Sequence, residues 1–486
     1  MILSEPAPPF APTVDDDIRS RIVVPLIVAL AMLMETTDAT VLATALPILA
    51  KDLSVPVLSL KLALSTYLIA FAAMVPISGW LADRYGAKRI FVAAMTTFLV
   101  GSALCAMQST LPGLVLSRAV QGAGGAMMVP VGRLIVLRGV AKSDMVQALA
   151  WVTVPALMGP ALGPLVGATV TQALGWRWVF LVNLPIGILA IVLAVILIPR
   201  VSPEPVAQLD RLGFALSALG LGGLLFGLST IGEHLISTPI AIVIGLAGAG
   251  LLAIYFRRAR GREDVLVDLR LFRHHLFSVG ILSGTLFRMS GGAAAFLLPL
   301  LFQLGFGLSI IVSGLLSGAF ALGGLTMRML APRILNRFGF RDTLIAGTLL
   351  SAASFAALGF MQTLNYSIII PLLIGAGFMQ ALVFTGLNGL VFAEATELEM
   401  GRATALSAIS QQVGLTLGIS VAALLLQAGG TGSPSSAPLL PHFPLAFWAI
   451  AAVLFGTALT LRRLHKGQAR MLRHVPHHNH RQHDRV

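Results

Sequence analysis

The feature that most constrains this chain is a run of apolar residues from 22 to 46, long enough to cross a bilayer as one helix, with two acids set inside it. Met34-Glu35-Thr36-Thr37-Asp38-Ala39-Thr40 lies at the middle of that run. Glu35 and Asp38 are three residues apart, so both project from one helical face. A carboxylate at bilayer depth costs roughly 2.5–3.5 kcal/mol on the most lenient insertion scale, so such residues face a cavity or a partner and mark ion or proton pathways.

Further runs of the same kind follow, and fourteen are read between residues 22 and 461. Only 11% of the 486 residues are charged, where a soluble domain carries about 25%, and 57% are hydrophobic. The 49 glycines suit close helix packing in a membrane. The single cysteine, Cys105, rules out an internal disulfide. With the N-terminus inside, the inner segments collect Arg19, Arg84, Lys88, Arg89, Arg138, Lys142, Arg200, the cluster Arg257 to Arg273, Arg337, Arg341 and the tail from Arg462. The outer loops hold only Lys51, Lys61 and Arg177. This asymmetry places both termini in the cytoplasm and explains the +13 net charge without nucleic acid.

The fold class expected is therefore all-α integral membrane, with fourteen transmembrane helices in two six-helix bundles plus two extra central helices. The expected division is 1–21 as a disordered cytoplasmic N-terminus without a cleavable signal, 22–200 as an N-terminal bundle, and 201–273 as two linker helices and a cytoplasmic loop. Residues 274–464 form a C-terminal bundle and 465–486 a basic, His-rich cytoplasmic tail. An internal repeat supports the two halves: Asp83-Arg84-Tyr85-Gly86-Ala87-Lys88-Arg89 after the second helix, and Asn336-Arg337-Phe338-Gly339-Phe340-Arg341-Asp342 after the tenth.

Gly79-Trp80-Leu81-Ala82-Asp83-Arg84-Tyr85-Gly86-Ala87-Lys88-Arg89 resembles motif A of the major facilitator superfamily. Asp38 with Thr40 and Ala45-Leu46-Pro47 is similar to the first-helix motif of its 14-spanner drug:proton antiporters, and Arg118 with Gln121-Gly122-Ala123-Gly124-Gly125-Ala126 resembles motif B. Gly159, Pro160 and Gly163 resemble the antiporter motif C, although Val146, Pro155 and Pro164 stand where that pattern has glycines. Trp176-Arg177-Trp178 with Asn183 and Pro185 is similar to the segment that follows in that subfamily. The resemblance implies a secondary transporter of the inner membrane that exports hydrophobic or amphiphilic compounds against protons. As in some relatives, a periplasmic adaptor could carry export across an outer membrane. Protons, small-molecule substrates and the lipid bilayer are the partners expected; no cofactor is.

Each constellation carries a functional and a plain structural interpretation. Asp83 either latches two helices in one state or belongs to a topogenic basic loop. Asp38 and Arg118 lie at matching depth by helix rise, so a proton on Asp38 could free Arg118, or the pair could be static. Arg288, mid-helix without a neutralising acid nearby in sequence, could meet Glu35 across a cavity or bind an anionic substrate group. Gly159, Gly163 and Gly167 form one stripe, among the helix-bending Pro155, Pro160 and Pro164, for a hinge or for tight packing. Gln121, Gln303, Gln380 and Asn388 either line the cavity or bond between helices, as do Gln411 and Gln412. The histidines of the tail match no closed metal motif, and no nucleophile elbow or phosphate loop supports catalysis. An importer or facilitator of a small solute, and a non-transporting membrane sensor, stay open as rival functions.

Overall fold

A computed structural model describes residues 22–140, 144–199, 209–231, 236–260, 269–396, 399–429 and 440–464. The acidic N-terminal run, the His-rich tail and most of the loop between Arg257 and Arg273 lie outside these residues. We number the long helices α1 Val24–Asp52, α2 Lys61–Tyr85, α3 Ala87–Met107, α4 Leu111–Gly139, α5 Met145–Leu174 and α6 Trp178–Leu197, the last with a short break at Val182. There follow α7 Arg211–Thr230, α8 Thr238–Ala259, α9 His275–Leu300, α10 Ile310–Phe338, α11 Phe340–Gly359, α12 Tyr366–Phe392, α13 Met400–Gly429 and α14 Phe443–Leu461. Thirteen of the described helices are long and apolar enough to cross a membrane. The remaining one, α5, has 30 residues, and with it the count is consistent with the fourteen spans expected. Among the described residues there is no strand.

Local chemistry marks where helices begin. Thr110 caps α4 by accepting from the Gly113 N–H, Asp210 caps α7 through the Gly213 N–H, and Ser309 caps α10 through the Val312 N–H. Two joints turn on a glycine in the left-handed region: Gly86 between α2 and α3 (φ 92°) and Gly339 between α10 and α11 (φ 88°). Each donates its N–H to the carbonyl four residues back, Ala82 or Leu335, at 2.9 Å. A side chain at either position would be strained, so both copies of the repeated loop keep glycine. The first helix is longer than its apolar run suggested, continuing through Pro47 to Asp52. Lys51 is thus helical, and Lys61 is the buried first residue of α2 rather than an outer-loop charge.

The packing repeats with an offset of eight helices. α1 packs on α5, α2 on α4 and α3 on both α4 and α6; likewise α9 packs on α13, α10 on α12 and α11 on both α12 and α14. Across the two sets, α2 meets α13 and α5 meets α10. The pair α7–α8 packs on itself and leans through α7 on α2 and α13, so it flanks the assembly instead of separating the sets. Helices α6, α7 and α8 turn large apolar side chains outward, among them Ile188, Ile196, Leu219, Val243 and Leu246, a surface suited to lipid.

The seam between α1 and α5 is closely packed along three successive turns. Thr36, Thr40 and Thr44 lie along α1 at four-residue intervals and face Gly159, Gly163 and Gly167 in parallel register. A methyl group on any of the three glycines would collide with the opposing threonine hydroxyl. The hydroxyls return their own hydrogens to α1 carbonyls, Thr36 to Met32 at 2.8 Å, Thr40 to Thr37 at 3.0 Å and Thr44 to Val41 at 2.9 Å. The seam therefore satisfies its polar groups within one helix and leaves van der Waals contact to join the two.

Candidate functional site

The interior of α1, α2, α3, α4 and α6 holds one connected polar network. Asp38 is 2% exposed and forms an ion pair with Arg118 at 2.6 Å. Its other oxygen accepts from Gln121 Nε2 at 2.8 Å and Asn183 Nδ2 at 3.1 Å. Arg118 also donates to Gln121 Oε1 at 2.6 Å and, through Nε, to the Ala63 carbonyl at 3.2 Å. Ser102 closes the cage, accepting from Gln121 and Asn183 and donating to the Phe180 carbonyl at 3.0 Å. Each charge is thus matched by an opposite charge and by neutral dipoles, the condition under which a buried pair can persist.

Glu35, one helical turn toward the N-terminus of α1, accepts from the Tyr67 hydroxyl at 3.0 Å. The Tyr67 ring also lies under the Arg118 guanidinium, 4.3 Å from its centre. One tyrosine therefore touches both acid sites, Glu35 through its hydroxyl and the Asp38–Arg118 pair through its π face. The glycines after Gln121 make this possible. Gly122 lets α4 reach the Tyr67 backbone, Gly124 lets it reach α3 at Phe98, and Gly125 leaves room for the Tyr67 hydroxyl, 2.8 Å from where a Cβ would stand.

Arg288 sits on α9, 3% exposed, with its side chain folded back over Gly284. It donates to Asn388 Oδ1 at 2.6 Å and Ser410 Oγ at 3.4 Å. It does not meet Glu35, whose hydrogen bond goes to Tyr67; that alternative gives way because α9 turns Arg288 toward α12 and α13.

At the joint of α2 and α3, Asp83 pairs with Arg138 from the end of α4 at 2.9 Å. Lys88 reaches the end of α6 and donates to the Val195 and Ile198 carbonyls at 2.8 and 2.6 Å, satisfying acceptors that a helix end leaves open. Arg84 and Arg89 are exposed, and Gly79 has open space about it. At the opposite end of the helices, Asp52 accepts from Trp176 Nε1 at 2.8 Å and pairs with Arg177 at 2.9 Å, tying α1 to the connection before α6. Near the start of α13, Glu399 is held below the usual carboxylate range, first by the Thr396 N–H and hydroxyl and then by His274.

Of the glutamines and asparagine read as cavity-lining, Gln121 is fully buried inside the Asp38 cage. Gln303 lies on a π-helical turn, Leu301–Gly305, and donates to the Thr44 carbonyl at 3.0 Å and Ser313 at 3.3 Å. Gln380 donates to Ser290 at 3.3 Å while its Oε1 is buried without a partner. Asn388 holds Arg288. Gly159, Pro160 and Gly163 belong to the α1–α5 seam and its helix. Sequence reasoning misses Tyr67, Ser102 and Ser410, and gives Arg138 only as an inner-segment charge. A tyrosine in an otherwise apolar helix is the available signal for Tyr67, since the chain has only four. The others carry no pattern that separates them from ordinary packing or loop residues.

A polytopic helical bundle with a hydrogen-bonded ion pair and a buried arginine in its interior has the features of a membrane transport protein, in which intramembrane charges mark ion or substrate pathways. The family model described as Major Facilitator Superfamily matches residues 28–395 and again 276–479. The chain is 34% identical over 451 residues to the probable transport protein HsrA of Haemophilus influenzae, covering 93% of this chain and 97% of that one. It is 37% identical over 403 residues to a putative multidrug resistance protein MdtD of Pectobacterium atrosepticum, covering 82% and 86%. Among solved structures, a POT family transporter in complex with a thioalcohol-conjugated peptide is 15% identical, with a TM-score of 0.69 over 90% of this chain and 94% of that one, which is a likeness of fold. The chain belongs to the Major Facilitator Superfamily and is a secondary transporter.

Proposed function

We propose that this transporter exports hydrophobic or amphiphilic small molecules against protons, by alternating access between two six-helix halves, in the inner membrane with both termini cytoplasmic. The observation that carries this is the Asp38–Arg118 pair, fully caged and 1% exposed on each side chain. A proton on Asp38 would cancel the charge that holds Arg118, leaving a buried cation to find another partner; the cage then favours a different arrangement. Tyr67 touches both Glu35 and Arg118, so it provides a physical link between the two acids. Relatives called multidrug resistance proteins support the substrate class.

The contacts between the halves support a cycle. With the N-terminus inside, Gln303 to the Thr44 carbonyl, and Gly314 against Pro164 and Ala168, lie on the outer side. These contacts suit a state closed toward the outside. The Asp83–Arg138 pair, between a joint and a helix end on the inner face, would latch α2 to α4 in that state. Reversal would break the outer contacts and reset the latch.

The test uses inside-out vesicles energised to an acid interior, with a pH-sensitive dye and a panel of lipophilic cations, anions and neutral drugs. Wild type is compared with Asp38→Asn. The expected result is discharge by at least one compound in wild type and none in the variant. Labelled compounds that cross both proteins with no discharge would replace proton antiport by facilitated diffusion.

A further inference from the structure

The two sets of helices treat their buried arginines differently. In the first, Arg118 has Asp38. In the second, Arg288 has only neutral partners, Asn388 and Ser410, and its Nε is buried with no partner. Arg328 on α10 approaches the same region. Its guanidinium lies 5.6 Å from the centre of the Phe384 ring, and that of Arg288 lies 5.3 Å from the same centre. Among the described residues, no carboxylate lies within ion-pair distance of either arginine.

A buried cation without a counter-charge is expensive, and two beside one ring repel each other. The surroundings nevertheless accommodate Arg288. A Cβ at Gly284 would stand 2.6 Å from its Nη1 and one at Gly414 would stand 2.8 Å from its Cβ, so two glycines on different helices clear its path. Asn388 then fixes the guanidinium plane from α12. A charge held this deliberately, with a free donor and a flat apolar surface beside it, has the composition of a site for an aromatic anion.

We propose that Arg288, Arg328 and Phe384 form a substrate subsite for the acidic group and ring of an anionic aromatic amphiphile, a carboxylate or a sulfonate. The acidic group takes the place of the missing counter-charge, and the ring lies against Phe384. This rests on the transport reading above and narrows its substrate class. It also assigns Arg328 and Phe384 to the site.

The experiment measures equilibrium binding to the full chain in nanodiscs, with empty nanodiscs as the blank. The probes are 1-naphthalenesulfonate, neutral 1-naphthalenemethanol and cationic 1-naphthylmethylammonium. The sulfonate is expected to bind at least tenfold more tightly than the other two, about 1.4 kcal/mol. Arg288→Gln and Arg328→Gln should each erase that preference, with a retained cooperative SDS-unfolding transition as evidence of intact folding; Arg288→Lys should keep part of it. A wild type with no tenfold preference overturns the proposal, whatever the variants do. So does an Arg288→Gln protein that folds and still prefers the sulfonate. The two claims separate cleanly. Proton discharge by some compound with no anion preference in binding rejects this inference alone. Anion-selective binding that depends on Arg288, with no discharge by any compound, supports the subsite and rejects the proton-coupled reading.

Discussion

Replacing Asp38 by Asn keeps the shape of the side chain and removes its charge, and the cage around it makes the outcome calculable. Arg118 would lose its ion pair at 2.6 Å while staying 1% exposed. Breaking one side of a buried pair costs about 3–5 kcal/mol, most of it the penalty of the charge left behind. The amide adds a second conflict. Asp38 accepts on one oxygen from Gln121 and Asn183 and on the other from Arg118, so an Asn NH2 must face a donor whichever way it is turned. Arg118→Gln alone should cost a similar amount by orphaning Asp38. The double variant Asp38→Asn, Arg118→Gln leaves neither an unpaired carboxylate nor an unpaired guanidinium in the cage, and an amide pair can share it. Its loss should fall short of the summed single losses by at least about 1 kcal/mol, within the range found for residues in contact. The assay is SDS-induced unfolding of the purified protein in mixed micelles, with the four proteins completing a cycle. In parallel, the vesicle assay should find proton-linked transport absent in all three variants, including the restabilised one. Additive stability losses would refute the view of the pair as a mutually compensating unit. Proton coupling in the double variant would refute its role as the switch.

Gly163→Ala should destabilise the protein and slow transport, because the methyl group meets the Thr40 hydroxyl, and Thr40→Ala should restore much of the loss in the same unfolding assay. Asp83→Asn removes a partly exposed pair, so stability should fall by no more than about 1 kcal/mol while the transport rate falls severalfold; equal loss of both would argue against a latch. Gly86→Ala and Gly339→Ala should each cost roughly 1–3 kcal/mol through the left-handed backbone they require, and only the former should also affect the Asp83–Arg138 joint, read as altered thiol labelling of an introduced Arg84→Cys, the native Cys105 being buried near the far end of α3. If the cargo is a monoanion leaving as one proton enters, two positive charges move inward per cycle. An inside-negative potential of 100 mV should then drive export by roughly 2.3 kcal/mol per charge, seen as faster efflux from potassium-diffusion-polarised cells.

The first acid site is legible in the order of residues because depth is a one-dimensional quantity. Helix rise places Asp38 and Arg118 at the same level, and a bilayer leaves buried charges few other choices. Rotation about a helix axis is not encoded so directly. The repeat matches α9 to α1, yet it does not say which way Arg288 points, and of its two open alternatives the meeting with Glu35 gives way to Asn388 and Ser410. The glycine stripe of α5 is visible along the chain, but its partners Thr36, Thr40 and Thr44 emerge only once α1 is known to be the facing helix. The basic loop after α2 is legible as a unit. That Asp83 selects Arg138, and that Lys88 ends up on the carbonyls of α6, depends on which helix ends converge there.

The α1–α5 seam also sets a rule for how this protein can drift in sequence. Its three threonine–glycine pairs share one fixed gap, so the volume available at each level is a sum held constant across two helices. Neither member is free to grow, but the pair is free to trade: alanine can enter α5 where α1 gives up its threonine, and glycine must stay where it does not. Substitution along this joint is therefore a paired process, with each first step disfavoured and each second step restoring. A coding sequence under such a rule should hold these six positions fixed for long periods and change them two at a time.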